Sequence, residues 1–135
     1  MKTILILTAF SLYSFVGLSQ NWKEVKSTDT VKISVKEIHY QNVTNDIDHQ
    51  RLIFKYENLT STPIELHFNR ELIYNNKKSS QEEDFSIQIP ANGSLEYNEL
   101  ENNTKSYYIF KKDNNGWIKR ILDNYSIIHL KVNQL

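Results

Sequence analysis

The sequence contains no cysteine among its 135 residues. A disulfide framework is therefore excluded, and so is lipid attachment through a cysteine at a signal-cleavage site. The folded chain has to be held together by its core alone. If the protein is exported, it is not a cysteine-linked lipoprotein.

Glycine and proline are nearly as scarce, with three and two residues respectively. Loops that wrap closely around phosphate groups are built from glycine, and no such glycine-rich motif occurs. The motifs Gly-x-Ser-x-Gly and His-Glu-x-x-His, which carry serine-nucleophile and zinc hydrolase chemistry, are missing too. These absences favour a protein that is not an enzyme and that needs no cofactor.

Neither sign of charge is in excess, because 16 basic residues are balanced by 16 acidic ones. The two signs are interspersed along the chain. Nucleic acids and anionic membrane surfaces both require a concentrated basic surface. We therefore expect neither of them as a partner.

One long apolar run is present, and it lies at the N-terminus. Residues 4–18 carry no charge and follow a single lysine. The run is shorter than the roughly 20 residues of a bilayer-spanning helix, and Gly17 and Ser19 fit the −3 and −1 positions of a cleavage site. We interpret residues 1–19 as a secretory signal peptide and 20–135 as one mature domain, periplasmic or secreted, without a stable membrane anchor.

The rest of the chain consists of short segments in which apolar and polar residues alternate. The alternation is clearest in 52–57 and 64–69, and it shifts phase at Lys36-Glu37, which predicts a bulge in the strand there. A period of two is typical of half-buried strands. We predict an all-β fold, a single immunoglobulin-like antiparallel β-sandwich of about 7–9 short strands. A small barrel is an open alternative, because it would produce the same pattern.

The stretch IQIPANGSLEY, residues 87–97, contains a strong turn signal at its centre. If the loop spans Pro90 to Ser94, Ile89 faces Leu95 and the apolar side chains of both strands share one face. We therefore predict a five-residue corner in which Gly93 adopts a positive φ angle.

Two segments carry a resemblance to known proteins, FKYENLTSTPIELHF at 54–68 and FSIQIPANGSLEY at 85–97. They resemble the bacterial immunoglobulin-like and fibronectin-type-III-like sandwiches of exported proteins. In those folds a strand ending in Asn-x-Thr leads through a proline turn to an Ile-rich strand. The resemblance implies the fold and carries no catalytic residue over, and the cysteine pair and core tryptophan of antibody domains are missing.

The sequence offers five Asn-x-Ser/Thr acceptor sites for glycans, at Asn42, Asn58, Asn92, Asn102 and Asn124. Asparagine also favours turns, so the chemistry of the fold explains these sites equally well. The signal segment resembles those of Gram-negative bacteria that end in Leu-Ser-Gln. In such a cell the sites would stay without glycan, whereas a eukaryotic source would reverse that expectation.

Aromatic residues are the candidate binding residues, and we select Trp117, Tyr107 and Tyr108. Neighbours in a strand point to opposite faces, so one tyrosine of the pair faces away from the other. An exposed Tyr or Trp can stack on a sugar ring or anchor a protein partner. Alternatively, these rings pair with each other across strands.

Asp46, Asp48 and His49 are the candidate metal ligands, because they offer oxygen and nitrogen donors within four residues. Their spacing matches no established Ca²⁺ loop, and no glycine follows to turn the chain around an ion. A plain solvated loop is the alternative interpretation.

The function predicted from the sequence is therefore a non-enzymatic, exported binding domain of the cell envelope, with a protein or carbohydrate partner. Two alternatives stay open. One is a small envelope hydrolase or metal-binding protein that uses acidic residues and His49. The other is a structural subunit of a surface assembly, which a long uncovered edge strand would favour.

Overall fold

The computed structural model describes residues 21–42, 47–78, 83–115 and 118–135. Within these ranges, side chains are described except at residues 40–42, 47–49, 113–115 and 118–119. The predicted ligand Asp46 and the predicted binding residue Trp117 lie outside the described residues. For Asp48 and His49 the backbone alone is described.

The described chain forms nine strands and is nearly all β, as predicted from the alternation. The strands are β1 (Lys23–Ser27), β2 (Val31–Asn42), β3 (Ile47–Asn58), β4 (Ile64–Tyr74), β5 (Lys77–Lys78), β6 (Glu83–Ile89), β7 (Ser94–Glu96), β8 (Tyr108–Asn115) and β9 (Ile118–Gln134). The helical structure among the described residues is a single 3-10 turn at Lys105–Tyr107. None of their helices is long and apolar enough to cross a membrane.

All nine strands belong to one antiparallel sheet, in the order β1-β2-β3-β8-β9-β4-β5, with β6 on β4 and β7 on β3. The long strand β9 joins the two halves of this sheet. Its residues 118–121 pair with β8, and its residues 122–134 pair with β4. The ring of Tyr56 on β3 lies 5.6 Å from that of Phe68 on β4, although these strands are not ladder neighbours. The sheet therefore curls over one shared core.

The core is built from the inward positions of the alternating strands. Its largest fully buried members are Val31, Ile33, Phe54, Tyr56, Ile64, Leu66, Phe68 and Ile89. Each inward side chain that leaves water contributes about 1.5–3 kcal/mol to stability, whereas its outward neighbours contribute little. The period of two in the sequence therefore fixes which side of each strand faces the core.

The predicted bulge at Lys36-Glu37 is wrong. Strand β2 pairs with β3 without any register shift, from Val31 opposite Asn58 to Asn42 opposite Ile47. Ile38 shares the outer face with Lys36 and lies opposite Arg51. An apolar side chain at an outward position, half-buried on the outer face, produced the apparent change of phase.

The stretch at residues 90–94 is a corner between the two halves of the sheet and not a hairpin. The predicted contact of Ile89 with Leu95 is wrong, because Ile89 pairs with Ile64 on β4 while Leu95 pairs with Tyr56 on β3. The register argument fails because each strand meets a different neighbour.

The positive φ angle of this corner belongs to Asn92, at 52°, and Gly93 lies outside that region. Asparagine tolerates the left-handed conformation better than most residues. Glycine is needed at position 93 for another reason. A Cβ atom there would lie 2.6 Å from Cγ of Pro90, well inside van der Waals contact.

Asn58 fixes this corner from the inside and is only 3% exposed. Its amide nitrogen donates to the carbonyls of Thr62, Ile89 and Pro90 at 2.8, 3.3 and 3.0 Å. Its side-chain oxygen accepts from the backbone N–H and the hydroxyl of Thr60. This glycan acceptor site is therefore buried in the folded protein, and Asn58 is a structural residue.

Candidate functional site

Strand β4 places one arginine on its inward face. Ile64, Leu66, Phe68 and Leu72 fill the other inward positions and are buried, and Arg70 stands among them at 2% exposure. An ionised side chain loses several kcal/mol of hydration when it is buried, so it must be paired and hydrogen-bonded. Arg70 is therefore the natural starting point for a site.

Two of the three guanidinium nitrogens of Arg70 donate hydrogen bonds to residues of two other elements. Glu83 lies directly opposite on β6, and its Oε2 atom accepts from Nε at 3.0 Å and from Nη2 at 2.7 Å. Nη2 also donates to the backbone carbonyl of Lys105 at 2.9 Å. The guanidinium carbon lies over the ring of Phe85, 4.7 Å from its centroid. These contacts hold the arginine in place.

The third nitrogen of the guanidinium, Nη1, is buried and has no hydrogen-bond partner among the described residues. A buried donor left unsatisfied costs about 1–3 kcal/mol. Native proteins therefore leave few of them, and each one invites an explanation.

A cavity of about 500 Å³ adjoins Arg70. It lies where strand β8 separates from β4, since β8 is joined by β9 only from Lys112 onward. We call it the seam pocket, and its described lining consists of Arg70, Leu72, Tyr74, Glu83, Asp84, Phe85, Lys105, Tyr108, Ile109, Phe110 and Arg120. Its volume is typical of sites that bind small molecules or chain ends.

Two side-chain hydrogen bonds cross this seam. Arg70 reaches the carbonyl of Lys105, and the hydroxyl of Tyr74 donates to the carbonyl of Phe110 at 2.8 Å. The side chains of Lys105 and Arg120 are exposed and add two positive charges to the lining. The pocket thus has a buried guanidinium at one wall and cations accessible to solvent.

Tyr56 supports this wall from the core. Burial raises the pKa of its hydroxyl far above the ordinary value, although the positive charge of Arg70 acts in the opposite direction. The hydroxyl donates to the carbonyl of Ser106. Tyr56 therefore stays neutral and ties the 3-10 turn that carries Lys105 to the core.

The outer wall of the pocket continues into a second cluster around Arg51. Its guanidinium carbon lies 4.9 Å from the ring centroid of Tyr108 and 5.1 Å from that of Phe110. Its Nη1 donates to the hydroxyl of Tyr97 at 3.0 Å. Contacts of this kind between a cation and an aromatic ring contribute about 0.5–2 kcal/mol. They also place a positive charge over two rings of the outer face.

Trp22, just before β1, contacts two lysines of the outer face. The Nζ atoms of Lys36 and Lys55 lie 5.8 and 5.0 Å from the centroid of its ring. Lys36 is opposite Ile53 on β3, and Ile53 is opposite Tyr108 on β8. The outer face therefore carries both basic and aromatic side chains, on β2, β3 and β8 and at Trp22 just before β1.

The two tyrosines selected from the sequence point to opposite faces. Tyr107 is 7% exposed and its ring packs edge-on against Tyr56, 5.7 Å between centroids. It belongs to the core. Tyr108 is half-buried and lines the seam pocket.

For the predicted metal ligands, the backbone shows that Asp48 and His49 lie on β3, opposite Gln41 and Tyr40 of β2. Asp46 is outside the described residues. Within the described part of the chain, no three His, Asp or Glu residues are grouped as they would be around a metal ion.

The sequence analysis missed Arg70, Glu83 and Lys105. A signal for Arg70 exists, because the inward phase set by Ile64, Leu66 and Phe68 continues through position 70 to Leu72. A charged residue at an inward position of a strand indicates either that the strand ends there or that the residue belongs to a functional site. No local pattern could have found Glu83 or Lys105, because they meet Arg70 through strand pairing and through the curl of the sheet.

Comparison of the chain with known protein families, with curated proteins and with solved structures finds no match.

Proposed function

We propose that this chain is an exported, non-enzymatic binding protein of the cell envelope that takes an anionic group of a protein partner into the seam pocket. The observation that carries the proposal is a cavity of about 500 Å³ whose described lining includes the buried Arg70 and the exposed cations Lys105 and Arg120. Glu83 and the carbonyl of Lys105 hold Arg70 in place, so its positive charge is fixed at the wall of the pocket before any partner binds.

The charges of the lining support an anionic partner. Lys105 and Arg120 are exposed there, so they attract a negative group and guide it toward Arg70. The described lining also contains two acidic residues, Glu83 and Asp84, beside aromatic and aliphatic residues. The lining is therefore equipped for recognition by hydrogen bonds, charge and apolar contact.

A protein partner is favoured over a carbohydrate by the position of Arg51. Sugars stack on open ring faces of Tyr or Trp. The guanidinium of Arg51 lies over the rings of both Tyr108 and Phe110, so a sugar would have to displace it. Arginine and tyrosine together are instead typical of residues that dominate protein interfaces.

The finer description of the fold belongs to the same proposal. An immunoglobulin-like sandwich that begins at residue 20, after removal of a signal peptide, would present the seam pocket at one side of its two layers. The contact between Tyr56 and Phe68 supports two facing layers, since these residues come from strands that are not ladder neighbours.

The test is an affinity capture from the envelope fraction of the protein's own cell. The mature domain and two double variants are each used as bait, and mass spectrometry identifies the proteins that each one captures. Lys105→Ala combined with Arg120→Ala removes the two exposed cations and keeps the Lys105 carbonyl that Arg70 uses. Lys112→Ala combined with Lys131→Ala is the matched control, because it removes two exposed cations outside the pocket lining.

We expect a partner that the wild type and the control retain and that the pocket variant loses. Circular dichroism checks that all three proteins are folded. Capture that is the same for all three, or binding to a glycan array with no protein partner, would contradict the proposal.

A further inference from the structure

One loop of the protein presents a leucine almost fully to solvent. Leu100 is 93% exposed, and the next most exposed large hydrophobic residue among the described ones is Leu135, at 59%. Glu99 and Glu101 flank Leu100 and are exposed as well. Apolar surface in water is unfavourable, and a partner that covers it gains the corresponding free energy. The loop therefore offers an apolar tip between two carboxylates.

This loop, residues 98–102, is held by its own hydrogen bonds, and we call it the Leu100 loop. Asn98 and Asn102 form an isolated antiparallel bridge, in which each backbone N–H donates to the carbonyl of the other residue, at 3.2 and 2.9 Å. The N–H of Leu100 donates to Oδ1 of Asn98 at 2.9 Å. The amide of Asn102 donates to the carbonyl of Glu96 at 3.2 Å. A loop that is already ordered loses little conformational entropy when it binds.

The Leu100 loop lies beside the seam pocket. Shortly after the loop, Lys105 begins the 3-10 turn and lines the pocket. Just before the loop, the ring of Tyr97 packs edge-on against that of Tyr108, another residue of the lining, with 6.1 Å between centroids. The exposure of Leu100 shows that the loop does not fill the pocket of its own molecule. Two molecules that turn this side toward each other about a two-fold axis can exchange their loops between their pockets.

The loop and the pocket have complementary chemistry. The described lining holds the exposed cations Lys105 and Arg120 beside aliphatic and aromatic residues, whereas the loop carries two carboxylates beside an apolar tip. Of the acidic residues in the described lining, Glu83 is ion-paired with Arg70, and Asp84 is exposed at an outward position of β6. Opposite charges orient two surfaces during association, and apolar contact stabilises the complex.

We propose that the partner bound at the seam pocket is a second copy of this chain, whose Leu100 loop enters the pocket while its own pocket receives the loop of the first copy. The leucine contacts the apolar lining, and the two carboxylates of the loop lie near Lys105 and Arg120. The result is a closed two-fold dimer, because both molecules use the same surface. The assignment rests on the proposed function, since it names the protein partner of the same pocket.

Sedimentation equilibrium of the mature domain, residues 20–135, measures this association at low salt, where exposed charges are screened least. We expect the wild type to form dimers as its concentration rises. Leu100→Ser should raise the dissociation constant of the dimer by at least about tenfold, because each of the two contacts loses a buried leucine side chain. Leu135→Ser is the control, since it removes an exposed leucine outside the loop and should leave the dissociation constant unchanged.

Charge reversal tests whether the loop and the pocket are the surfaces that meet. The loop variant combines Glu99→Lys with Glu101→Lys, and the pocket variant combines Lys105→Glu with Arg120→Glu. Each variant alone should be monomeric, because the reversed side chains repel those of the facing surface. An equal mixture should form a heterodimer, because the charges that face each other are again opposite. Circular dichroism checks that both variants are folded.

Glu24→Lys combined with Asp29→Lys is the matched control, because it reverses two exposed acids outside the loop and the pocket lining and should dimerise like the wild type. A wild type that stays monomeric at every concentration would overturn the proposal, and so would a mixture that stays monomeric or a loop variant that still dimerises. In these cases the proposed function survives if capture of another envelope protein depends on Lys105 and Arg120. If that dependence is missing too, the function and the dimer fail together.

Discussion

Two buried polar side chains of this protein, Asn58 and Arg70, differ in how completely they are hydrogen-bonded. Asn58 is 3% exposed, and both polar atoms of its side chain have partners. Arg70 is 2% exposed, and one of its three nitrogens has no partner among the described residues. Asn58 also lies inside a closed corner, whereas Arg70 lines a cavity.

The difference separates a structural residue from a binding residue. A buried polar group whose hydrogen bonds are all made by the protein rigidifies the fold and offers nothing to a ligand. A buried charge that is firmly held at the wall of a cavity can act on a ligand there without first being reoriented. The comparison predicts that Asn58 contributes to stability only, whereas Arg70 contributes to stability through its partners and to binding through the positive charge that it places at the wall of the seam pocket.

The largest effect is expected for Glu83→Ala, which removes the carboxylate partner of Arg70. A buried cation that loses its partner destabilises a protein by about 3–5 kcal/mol, and the partial exposure of Glu83 places the loss near the lower end. Urea unfolding followed by circular dichroism measures it. The exposed ion pair between Glu71 and Lys78 is the control, since Glu71→Ala should cost less than about 0.5 kcal/mol.

The double variant Arg70→Met with Glu83→Leu sharpens this prediction. Because it replaces both charges by apolar side chains of similar size, its stability should recover most of the loss. If the double variant is as unstable as Glu83→Ala, the destabilisation does not come from an unpaired charge.

The next largest effect is expected for Asn58→Ala, at about 2–3 kcal/mol, because several buried groups of the corner lose their hydrogen-bond partner at once. Equilibrium unfolding in urea measures the loss. Asn103→Ala is the control, since Asn103 is exposed and its amide reaches only the Glu99 carbonyl at 3.2 Å among the described contacts. Ligand binding by a folded Asn58 variant should be unchanged, and a selective loss of binding would break the distinction from Arg70.

The smallest effect is expected for Gly93→Ala, at about 1–2 kcal/mol, because the new methyl group meets the ring of Pro90 at 2.6 Å. Ser94→Ala, at an exposed neighbouring position, is the control. A double-mutant cycle with Pro90→Ala isolates the clash with the ring, since removing the ring should lower the cost of Gly93→Ala and leave only the contact with the carbonyl oxygen of residue 90 at 3.1 Å. If the cost of Gly93→Ala is the same with and without the Pro90 ring, contact with Pro90 is not the reason for glycine at this position.

The sequence predicted the all-β class because alternation records burial directly. Segments 52–57 and 64–69 lie in strands β3 and β4, with their apolar sides in the core. Local details were less predictable. The phase change at Lys36-Glu37 came from Ile38 on the outer face, and the residue with positive φ in the corner is Asn92 rather than Gly93.

The candidate site was largely hidden from sequence reasoning. Of the residues selected from the sequence, Tyr108 lines the seam pocket and Tyr107 belongs to the core. The roles predicted for Trp117 and for Asp46, Asp48 and His49 stay predictions, because their side chains are not described. Arg70 could have been noticed from its phase in β4, but its partner Glu83 is 13 residues away in the chain and Lys105 is 35 away.

By itself, the sequence determined the class of fold and the side of each strand that faces the core, because side chains in a strand alternate and apolar ones leave water. The tertiary structure decided which buried polar groups are satisfied. The curl of the sheet brings the Ile89 and Pro90 carbonyls to Asn58. It also brings Glu83 and Lys105 to Arg70, whose Nη1 still has no hydrogen-bond partner among the described residues. Hydrogen bonds are short and directional, so only the closed fold could decide which of the two residues has all of its polar atoms hydrogen-bonded.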